Sequence, residues 1–307
     1  MAATFYSRSR DRQSRHLARE VRNLETEWQS LARNRAEPLN LNFSRIEHLL
    51  SPASLEGKVI LQIGLGSGGA PVCDHLTMNG VRSWILYDPD ILQDVNLVKH
   101  PRGRRDLGRL KVDIQHEWIL DRNPAATVTS RPEDVFTAPS IQEHVQKCDL
   151  ILCCADTRAV RLFTNSLAIK HKKPCVTASV FRQGFGGEVY AYIPGYSGCF
   201  ECMDKVANQM GLNINLAIEP TPEEQETIYG MNLPDFQASG LSLDINAIAL
   251  IQARMALDVL IDGKPGYSGA NWVIHYNRSI PGVESSGRLK SARPMLIRSQ
   301  KECACHD

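Results

Sequence analysis

A glycine-rich segment between two apolar runs is the first part of the sequence whose residue types indicate chemistry. Gly64, Gly66 and Gly69 follow the apolar run 59–63 with a Gly-x-Gly-x-x-Gly spacing. Glycines let the backbone approach phosphate oxygens, and the amino end of a following helix supplies N–H donors. Asp88 ends the next apolar run, where a carboxylate can accept hydrogen bonds from ribose hydroxyls. This order predicts a nucleotide-binding loop, with a purely structural tight turn as the alternative.

Three charged residues farther along the chain could handle a nucleoside triphosphate. Lys99 and Lys111 would neutralise phosphate charge, and Asp156, which follows another apolar run, could hold a Mg²⁺ ion between the phosphates. Each has an ordinary alternative, because a lysine that opens a helix is often solvated and an aspartate after a strand often caps a helix. An NAD-dependent oxidoreductase would explain the glycines and Asp88, but neither Asp156 nor Lys111.

Cysteines form the second set of residues with chemical meaning. Cys199 and Cys202 have the spacing of half a zinc knuckle, and the C-terminal run adds Cys303, Cys305 and His306. Two such pairs predict a structural tetrahedral Zn²⁺ site whose fourth ligand is either Cys305 or His306. A redox Cys-x-x-Cys pair and inert thiols are the alternatives. The remaining five cysteines are interpreted as small buried core residues: Cys73, Cys148, Cys153, Cys154 and Cys175.

The elements that must position these residues alternate between strands and helices. Apolar runs predict strands at 59–63, 83–87, 127–130, 150–154, 175–179, 188–193 and 272–276. Helical patterns lie between them, at about 69–78, 110–121, 158–171 and 242–261. This βαβ rhythm predicts an α/β fold, a Rossmann-like and mostly parallel sheet with helices on both faces.

The pattern of residue types divides the chain into three parts: an N-terminal arm, an α/β domain and a C-terminal tail. Residues 1–40 predict an amphipathic helical arm, because apolar residues recur at steps of three and four between 12 and 35: Leu17, Val21, Leu24, Trp28 and Leu31. That stripe could pack on the body of the protein or pair with a partner helix. Residues 41–276 form the α/β domain, with a long crossover loop at about 204–238. Residues 277–307 form a tail that carries the C-terminal zinc ligands.

Overall composition excludes several classes of protein. The 307 residues carry 35 basic and 34 acidic side chains, for a net charge of +1, which disfavours a nucleic-acid-binding protein. The sequence has no apolar run of membrane-spanning length and no signal peptide, so we expect no membrane association. Nine cysteines without an export signal imply reduced thiols and a cytoplasmic protein.

Six segments, taken in order, resemble the ThiF/MoeB/ubiquitin-activating superfamily, whose members adenylate the C-terminal carboxylate of ubiquitin-like proteins. The segments are 63–69 (IGLGSGG), 87–90 (YDPD), 96–97 (NL), 108–113 (GRLKVD), 155–157 (ADT) and 194–202 (PGYSGCFEC). The resemblance implies that residues 41–276 form an adenylation domain that uses ATP and Mg²⁺. It also supports the Zn²⁺ site, because many members carry two cysteine pairs in these places.

The resemblance implies a role for each matching residue. The backbone of Gly64, Gly66 and Gly69 would contact the nucleotide, and Asp88 would bind its ribose. The phosphates would be contacted by Asn96 and Lys111, and Asp156 would hold Mg²⁺.

Two further residues are implied to act in catalysis. Family members usually have arginine where Lys99 stands, so the positive charge is kept but the bidentate fork of arginine is lost. Arg45 is the candidate for an arginine that reaches into the ATP site of the partner in a homodimer.

The implied activity is adenylylation of a ubiquitin-like protein that ends in glycine, for conjugation or sulfur transfer. Residues 203–302 contain no cysteine, so we expect no thioester at the position usual in activating enzymes. A non-catalytic scaffold subunit and adenylation of a small-molecule, peptide or tRNA-bound carboxylate remain alternatives.

Overall fold

The computed structural model describes residues 41–181, 184–209, 240–266, 269–277 and 293–306. The predicted helical arm and residues 210–238 of the predicted crossover loop lie outside these ranges. Expectations that rest on them therefore stay predictions.

Strands form where the sequence has short runs of apolar residues, and in the described residues they make one eight-stranded sheet in the order β3-β2-β1-β4-β5-β6-β7-β8. The parallel strands are β1 (Val59–Ile63), β2 (Ser83–Tyr87), β3 (Thr127–Arg131), β4 (Leu150–Cys153) and β5 (Cys175–Val180). The antiparallel additions are β6 (Gly186–Tyr192), β7 (Trp272–Tyr276) and β8 (Arg293–Met295). The predicted mostly parallel α/β sheet is confirmed.

Six α-helices of the described residues cover the sheet. They are α1 (Gly69–Met78), α2 (Lys111–Arg122), α3 (Ile141–Lys147), α4 (Arg158–Lys170), α5 (Phe200–Gln209) and α6 (Ser242–Asp262). Helix α6 ends at Gly263, whose φ of +68° is the left-handed conformation that stops a helix at low cost with glycine. No helix in the described ranges is long and apolar enough to cross a membrane.

Alternate residues of β1, β2 and β4 feed two apolar layers, one on each face of the sheet. Ile60 of β1 packs with α1, α2 and α6, whereas Leu61 packs with α3, α4 and α5. Central parallel strands are buried on both faces, which is why β2 and β4 are almost continuously apolar rather than alternating. Helices on both faces were predicted, and this part of the fold is confirmed.

The strand order reverses between β1 and β4, the neighbours at the centre of the parallel part. At such a switch point the loops after the two strands diverge to opposite faces and leave a crevice at the carboxyl edge of the sheet. The loops that follow β1, β2 and β4 carry the glycines, Asp88 and Asp156. The topology therefore brings the predicted nucleotide residues to one edge.

Three features differ from the expectations. Helix α5 extends to Gln209, so the predicted crossover loop at 204–238 begins inside a helix; burial of Phe200 and Met203 stabilises it. Strand β8 pairs with β7, so part of the predicted 277–307 tail contributes to the sheet, and the described residues from 42 onward form one unit. Helix α3 is absent from the expectations because seven residues give too short a periodic signal.

Candidate nucleotide site and four-cysteine cluster

The glycine loop connects β1 to α1, and two of its glycines are required by close packing. Gly64 has φ +93°, and a Cβ there would lie 2.9 Å from the carbonyl carbon of Cys154. A Cβ on Gly69 would lie 2.2 Å from the carbonyl oxygen of Gly64, so only glycine allows the helix to start here. At Gly66 a Cβ would meet no atom within 4 Å. The space beside Gly66 is thus open for a ligand to approach the backbone.

Asp88 lies at the end of β2 and is buried, with 5% of its surface exposed. Its Oδ2 accepts a hydrogen bond of 2.6 Å from the Leu65 N–H, and its Oδ1 accepts one of 2.9 Å from the Asp90 N–H. Burial raises the pKa of Asp88, while Lys111 and these two N–H groups oppose the rise. Asp88 therefore holds the glycine loop in shape, a role that the sequence expectation of a ribose ligand did not include.

Lys111 is the first residue of α2, and its side chain is buried beside the two aspartates that follow β2. Its Nζ lies 2.7 Å from Asp90 Oδ2 and 3.9 Å from Asp88 Oδ1. The alternative of a solvated surface lysine is wrong, because only 8% of the residue is exposed. A buried ammonium beside the glycine loop can neutralise phosphate charge without first losing a full hydration shell.

Lys99 and Asp156 come from different loops, and Lys99 is half-buried where the charges of both Asp156 and Lys111 act on it. Burial lowers the pKa of Lys99, the Asp156 carboxylate opposes that change, and the Lys111 charge adds to it. Thr157 caps α4, since its Oγ1 accepts a 3.4 Å hydrogen bond from the Val160 N–H. The alternative in which Asp156 is the cap is therefore wrong. Its carboxylate belongs to an exposed residue and is available to a cation.

Asn96 and Arg45 are tied less directly to the glycine loop. Asn96 Oδ1 accepts a hydrogen bond of 3.0 Å from the Gln93 N–H, so part of its side chain shapes the turn that leads to Lys99. Arg45 is exposed in the chain before β1, and within the described ranges no hydrogen bond or ion pair joins it to the loop. Its expected role in a partner's site stays a prediction.

Two polar residues that sequence reasoning missed orient the backbone of the site. Gln62, fully buried in β1, donates through Nε2 to the carbonyl oxygens of Gly64 at 3.0 Å and Gly69 at 2.8 Å. Arg161 is buried on α4 and donates to the carbonyl oxygens of Ala155 and Asp156 at 3.2 and 3.0 Å. Gln62 could have been found as the single polar residue of an otherwise apolar strand, whereas Arg161 shares its buried helix face with Thr164 and Asn165 and gives no such signal.

Four cysteine sulfurs converge at the amino end of α5 and the end of the chain. The Sγ atoms of Cys199, Cys202, Cys303 and Cys305 all lie within 4.8 Å of one another. His306 lies outside the cluster, with its Nδ1 3.1 Å from Ser299 Oγ. Of the two expected fourth ligands, the geometry favours Cys305. Four thiols that converge from two segments are the donor set of a structural zinc site.

The cluster is joined to the nucleotide edge through α4 and α5. Arg158, two residues after Asp156, donates to both carboxylate oxygens of Asp204 on α5, at 3.2 and 2.6 Å. Asn165 of α4 accepts a 3.0 Å hydrogen bond from the Phe200 N–H, between the cysteines of the first pair. The four-cysteine cluster and the Asp156 loop thus share one helical layer.

The glycine loop yields a prediction that separates folding from ligand binding. Gly69→Ala should lower the free energy of unfolding by about 2–4 kcal/mol, because its methyl group overlaps a backbone carbonyl. Gly66→Ala should leave thermal unfolding unchanged but weaken ATP binding at least tenfold. Gly68→Ala is the matched control, since its methyl group would make only an ordinary contact of 3.6 Å with Ile245. Equal ATP affinities for Gly66→Ala and Gly68→Ala would contradict the proposed approach of phosphate to Gly66.

Comparison with known proteins agrees with this geometry. A family model described as ThiF family matches residues 40–292. The sulfur carrier protein ThiS adenylyltransferase of Escherichia coli strain K12 is 29% identical over 174 residues, which cover 53% of this chain and 66% of that protein. The adenylyltransferase and sulfurtransferase uba4 of Aspergillus niger is 33% identical over 131 residues, which cover 42% of this chain and 27% of that protein.

Solved structures share the fold. The crystal structure of E. coli MccB with ATP has a TM-score of 0.61 at 17% identity and covers 82% of this chain and 67% of that one. This chain thus spans from about a quarter to about two thirds of the length of these relatives. The match of the family model to most of the chain, at residues that build the glycine loop and its surrounding charges, shows that the protein belongs to the ThiF family.

Proposed function

We propose that the protein uses ATP to adenylate the C-terminal carboxylate of a small ubiquitin-like or sulfur-carrier protein that ends in glycine. The observation that carries this proposal is the contact of Lys111 with Asp88, which holds the open glycine loop, together with Lys99 and Asp156, whose charges act on each other, in a chain of the ThiF family. A dehydrogenase would not need two lysines and an exposed carboxylate at its phosphate site. An adenylylating enzyme needs all three.

We assign each residue of the site a role in nucleotide binding according to its position. Gly64, Gly66 and Gly69 let the phosphates approach the backbone, and Lys99 and Lys111 neutralise their charge. Asp88 would accept hydrogen bonds from the ribose while it holds Leu65. Asn96 would add an amide donor to a phosphate oxygen.

Asp156 fits a Mg²⁺ site, because it presents an exposed carboxylate in the loop after β4, and its charge acts on Lys99. Bound Mg²⁺ would polarise the phosphate oxygens and shield the approaching carboxylate from their charge. Arg161 holds the two carbonyls of the Asp156 loop, so the backbone of that loop is positioned before any ligand arrives.

The reaction forms one bond and breaks one. A carboxylate oxygen of the substrate attacks the α-phosphorus of ATP, and the bond from that phosphorus to the bridging oxygen of the β-phosphate breaks. Pyrophosphate leaves with the electron pair, and the products are an acyl-adenylate and pyrophosphate. No side chain of the protein needs to act as a nucleophile, so positioning and charge neutralisation supply the catalysis.

We further propose that the protein forms no thioester of its own. Residues 203–302 contain no cysteine, and four of the five cysteines outside the cluster are fully buried. Burial raises the pKa of Cys148 to about 12, which keeps that thiol protonated at neutral pH. A conjugate with the substrate that reducing agents cleave would contradict this proposal.

The four-cysteine cluster is proposed to bind one structural Zn²⁺ ion. All four donors come from protein thiols, and no open position is needed for chemistry. The ion would join β8 and the chain end to α5, so its role would be to stabilise the fold rather than to react.

The expected partners are inferred from membership of the family, from the predicted arm and from the net charge. We propose a cytoplasmic homodimer in which Arg45 of each protomer serves the other's ATP site, and a possible partner helix for the arm at residues 1–40. The net charge of +1 favours a protein tail over tRNA as the carboxylate carrier.

ATP–pyrophosphate exchange tests the proposal. Labelled pyrophosphate should enter ATP only when a small protein ending in glycine is present, and truncation of that glycine should abolish exchange. Exchange with a short peptide instead would identify a peptide carboxylate as the substrate. ATP binding without exchange for any candidate would indicate a scaffold subunit, and a bound nicotinamide cofactor would overturn the proposal.

A further inference from the structure

Leu65, in the middle of the glycine loop, is held through both of its backbone polar groups, which belong to two successive peptide groups. Its N–H donates to Asp88, and its carbonyl oxygen lies 3.0 Å from Nε2 of His100. His100 is buried, with 8% of its surface exposed, and comes from the segment between β2 and α2. Nothing in the proposed chemistry requires a histidine there.

The His100 contact determines where the next backbone donor points. The carbonyl of Leu65 and the N–H of Gly66 belong to one planar trans peptide, so they point in opposite directions. With the carbonyl directed at His100, the Gly66 N–H is turned away from it, and none of the described residues supplies that N–H with an acceptor. The Gly66 N–H is therefore an unused hydrogen-bond donor beside the open space at Gly66.

The hydrogen bonds define the charge state of the ring. The Arg102 N–H donates to His100 Nδ1 at 3.1 Å, so Nδ1 is unprotonated and Nε2 carries the proton that is donated to Leu65. Arg102 is itself fixed, because its guanidinium forms hydrogen bonds with Asp74 and Gln115. A protonated ring would set an Nδ1–H against the Arg102 N–H, and two donors cannot share one hydrogen bond.

Charged groups from three elements face the ring. They are Arg102 on its own segment, Lys111 on α2 and Asp74 on α1. Burial lowers the pKa of His100 below its ordinary value of 6.5; the two cations add to this, and Asp74 and the Leu65 carbonyl oppose it. The neutral ring is therefore the form present at neutral pH.

We propose that His100 is a positioning residue for the nucleotide, whose neutral ring orients the peptide between Leu65 and Gly66 so that the Gly66 N–H can donate to a phosphate oxygen. Binding of ATP then requires the neutral ring and weakens when the ring is protonated. Affinity is complete above pH 6.5 and is lost as the pH falls below it, because the free protein takes up a proton that the bound form must release. The inference rests on the proposed function only in naming ATP as the ligand.

Titration of the full-length chain with ATP and Mg²⁺ at pH values from 5.5 to 8 tests this role. His100→Gln keeps an amide donor for Leu65 and an acceptor for Arg102 but does not titrate, so it should bind ATP at pH 8 like the wild type and lose less affinity in acid. His100→Ala should bind about five to ten times more weakly at pH 8, the effect of one hydrogen bond. His171→Gln, a histidine after α4, is the matched control and should behave as the wild type.

Comparison of the wild type with His100→Gln isolates the effect of His100 protonation on ATP affinity. Protonation of ATP itself and of Asp88 affects both proteins equally, so the ratio of their dissociation constants reports His100 alone. Parallel pH profiles for the two proteins would overturn the inference, as would wild-type affinity in His100→Ala. If His100→Ala does not fold, the glutamine variant still decides the question. Failure of the wild type to bind ATP at pH 8 would instead overturn the proposed function, and this inference with it.

Discussion

Replacing Asp156 by asparagine should lower the rate of ATP–pyrophosphate exchange by about a hundredfold or more while the chain remains folded. The substitution removes one negative charge at nearly constant volume, and a neutral amide is a poor ligand for Mg²⁺. The free energy of unfolding should stay unchanged, because the residue is exposed and Thr157 caps α4. Arg161 contacts the backbone carbonyl of Asp156 rather than its carboxylate.

The same variant should shift the dependence on Mg²⁺. We expect ATP binding without Mg²⁺ to be unchanged or slightly tighter, because the phosphates no longer face a carboxylate. Half-saturation of exchange should require more Mg²⁺ than in the wild type. Asp121→Asn is the matched control, since Asp121 is exposed near the end of α2. Undiminished exchange in Asp156→Asn would refute the assigned role.

Replacing Cys305 by serine should release one Zn²⁺ ion per chain and lower the midpoint of thermal unfolding by about 10 °C or more. Binding of Zn²⁺ to four thiolates stabilises only the folded arrangement that brings them together, and a hydroxyl does not replace a thiolate ligand. Elemental analysis of the purified protein gives the zinc content, and circular dichroism gives the midpoint.

Two variants serve as controls for the zinc experiment. His306→Ala should keep its zinc, because His306 faces Ser299 rather than the cluster. Cys148→Ala removes a buried thiol that is not one of the four clustered cysteines, so it should also keep zinc and should lose only packing stability. Zinc loss in His306→Ala but not in Cys305→Ser would show that the alternative fourth ligand is the correct one. Absence of zinc from the wild type would contradict the site itself.

The zinc experiment also bears on the nucleotide edge. Arg158 and Asn165 join α4 to α5, so loss of the ion should loosen the layer that carries Asp156. Exchange activity should fall with the loss of zinc, and ATP affinity should fall less, because the glycine loop lies on β1 and α1. Equal loss of both would indicate global unfolding.

Local sequence determined most of the fold. The strands β1, β2 and β7 have the predicted bounds, because a short apolar run closed by glycine, aspartate or asparagine has few other solutions. The positions of Gly64 and Gly69 were also readable, since a loop this tight excludes a side chain. Helix α3, helix α5 and strand β8 could not be predicted, because tertiary contacts rather than periodicity stabilise such short elements.

The charged residues of the site were likewise predicted in part from the sequence and in part decided by the tertiary structure. Residue type and order along the chain singled out Lys99, Lys111, Asp88 and Asp156, because phosphate and metal chemistry restrict the choice of side chain. Only the packed chain decided that Lys111 lies between Asp88 and Asp90, that Thr157 rather than Asp156 caps α4, and that Cys305 completes the cluster. Each of these depends on distances between segments that are remote in sequence.

Sequence alone therefore determined which chemistry the chain is equipped for, and tertiary structure decided which atoms support it. Gln62, His100 and Arg161 illustrate the reason. Each acts by a hydrogen bond to a backbone carbonyl in another turn or loop, and a carbonyl is present at every residue of the chain. A backbone carbonyl that accepts such a hydrogen bond cannot be identified from the sequence, because any residue type at that position has the same oxygen.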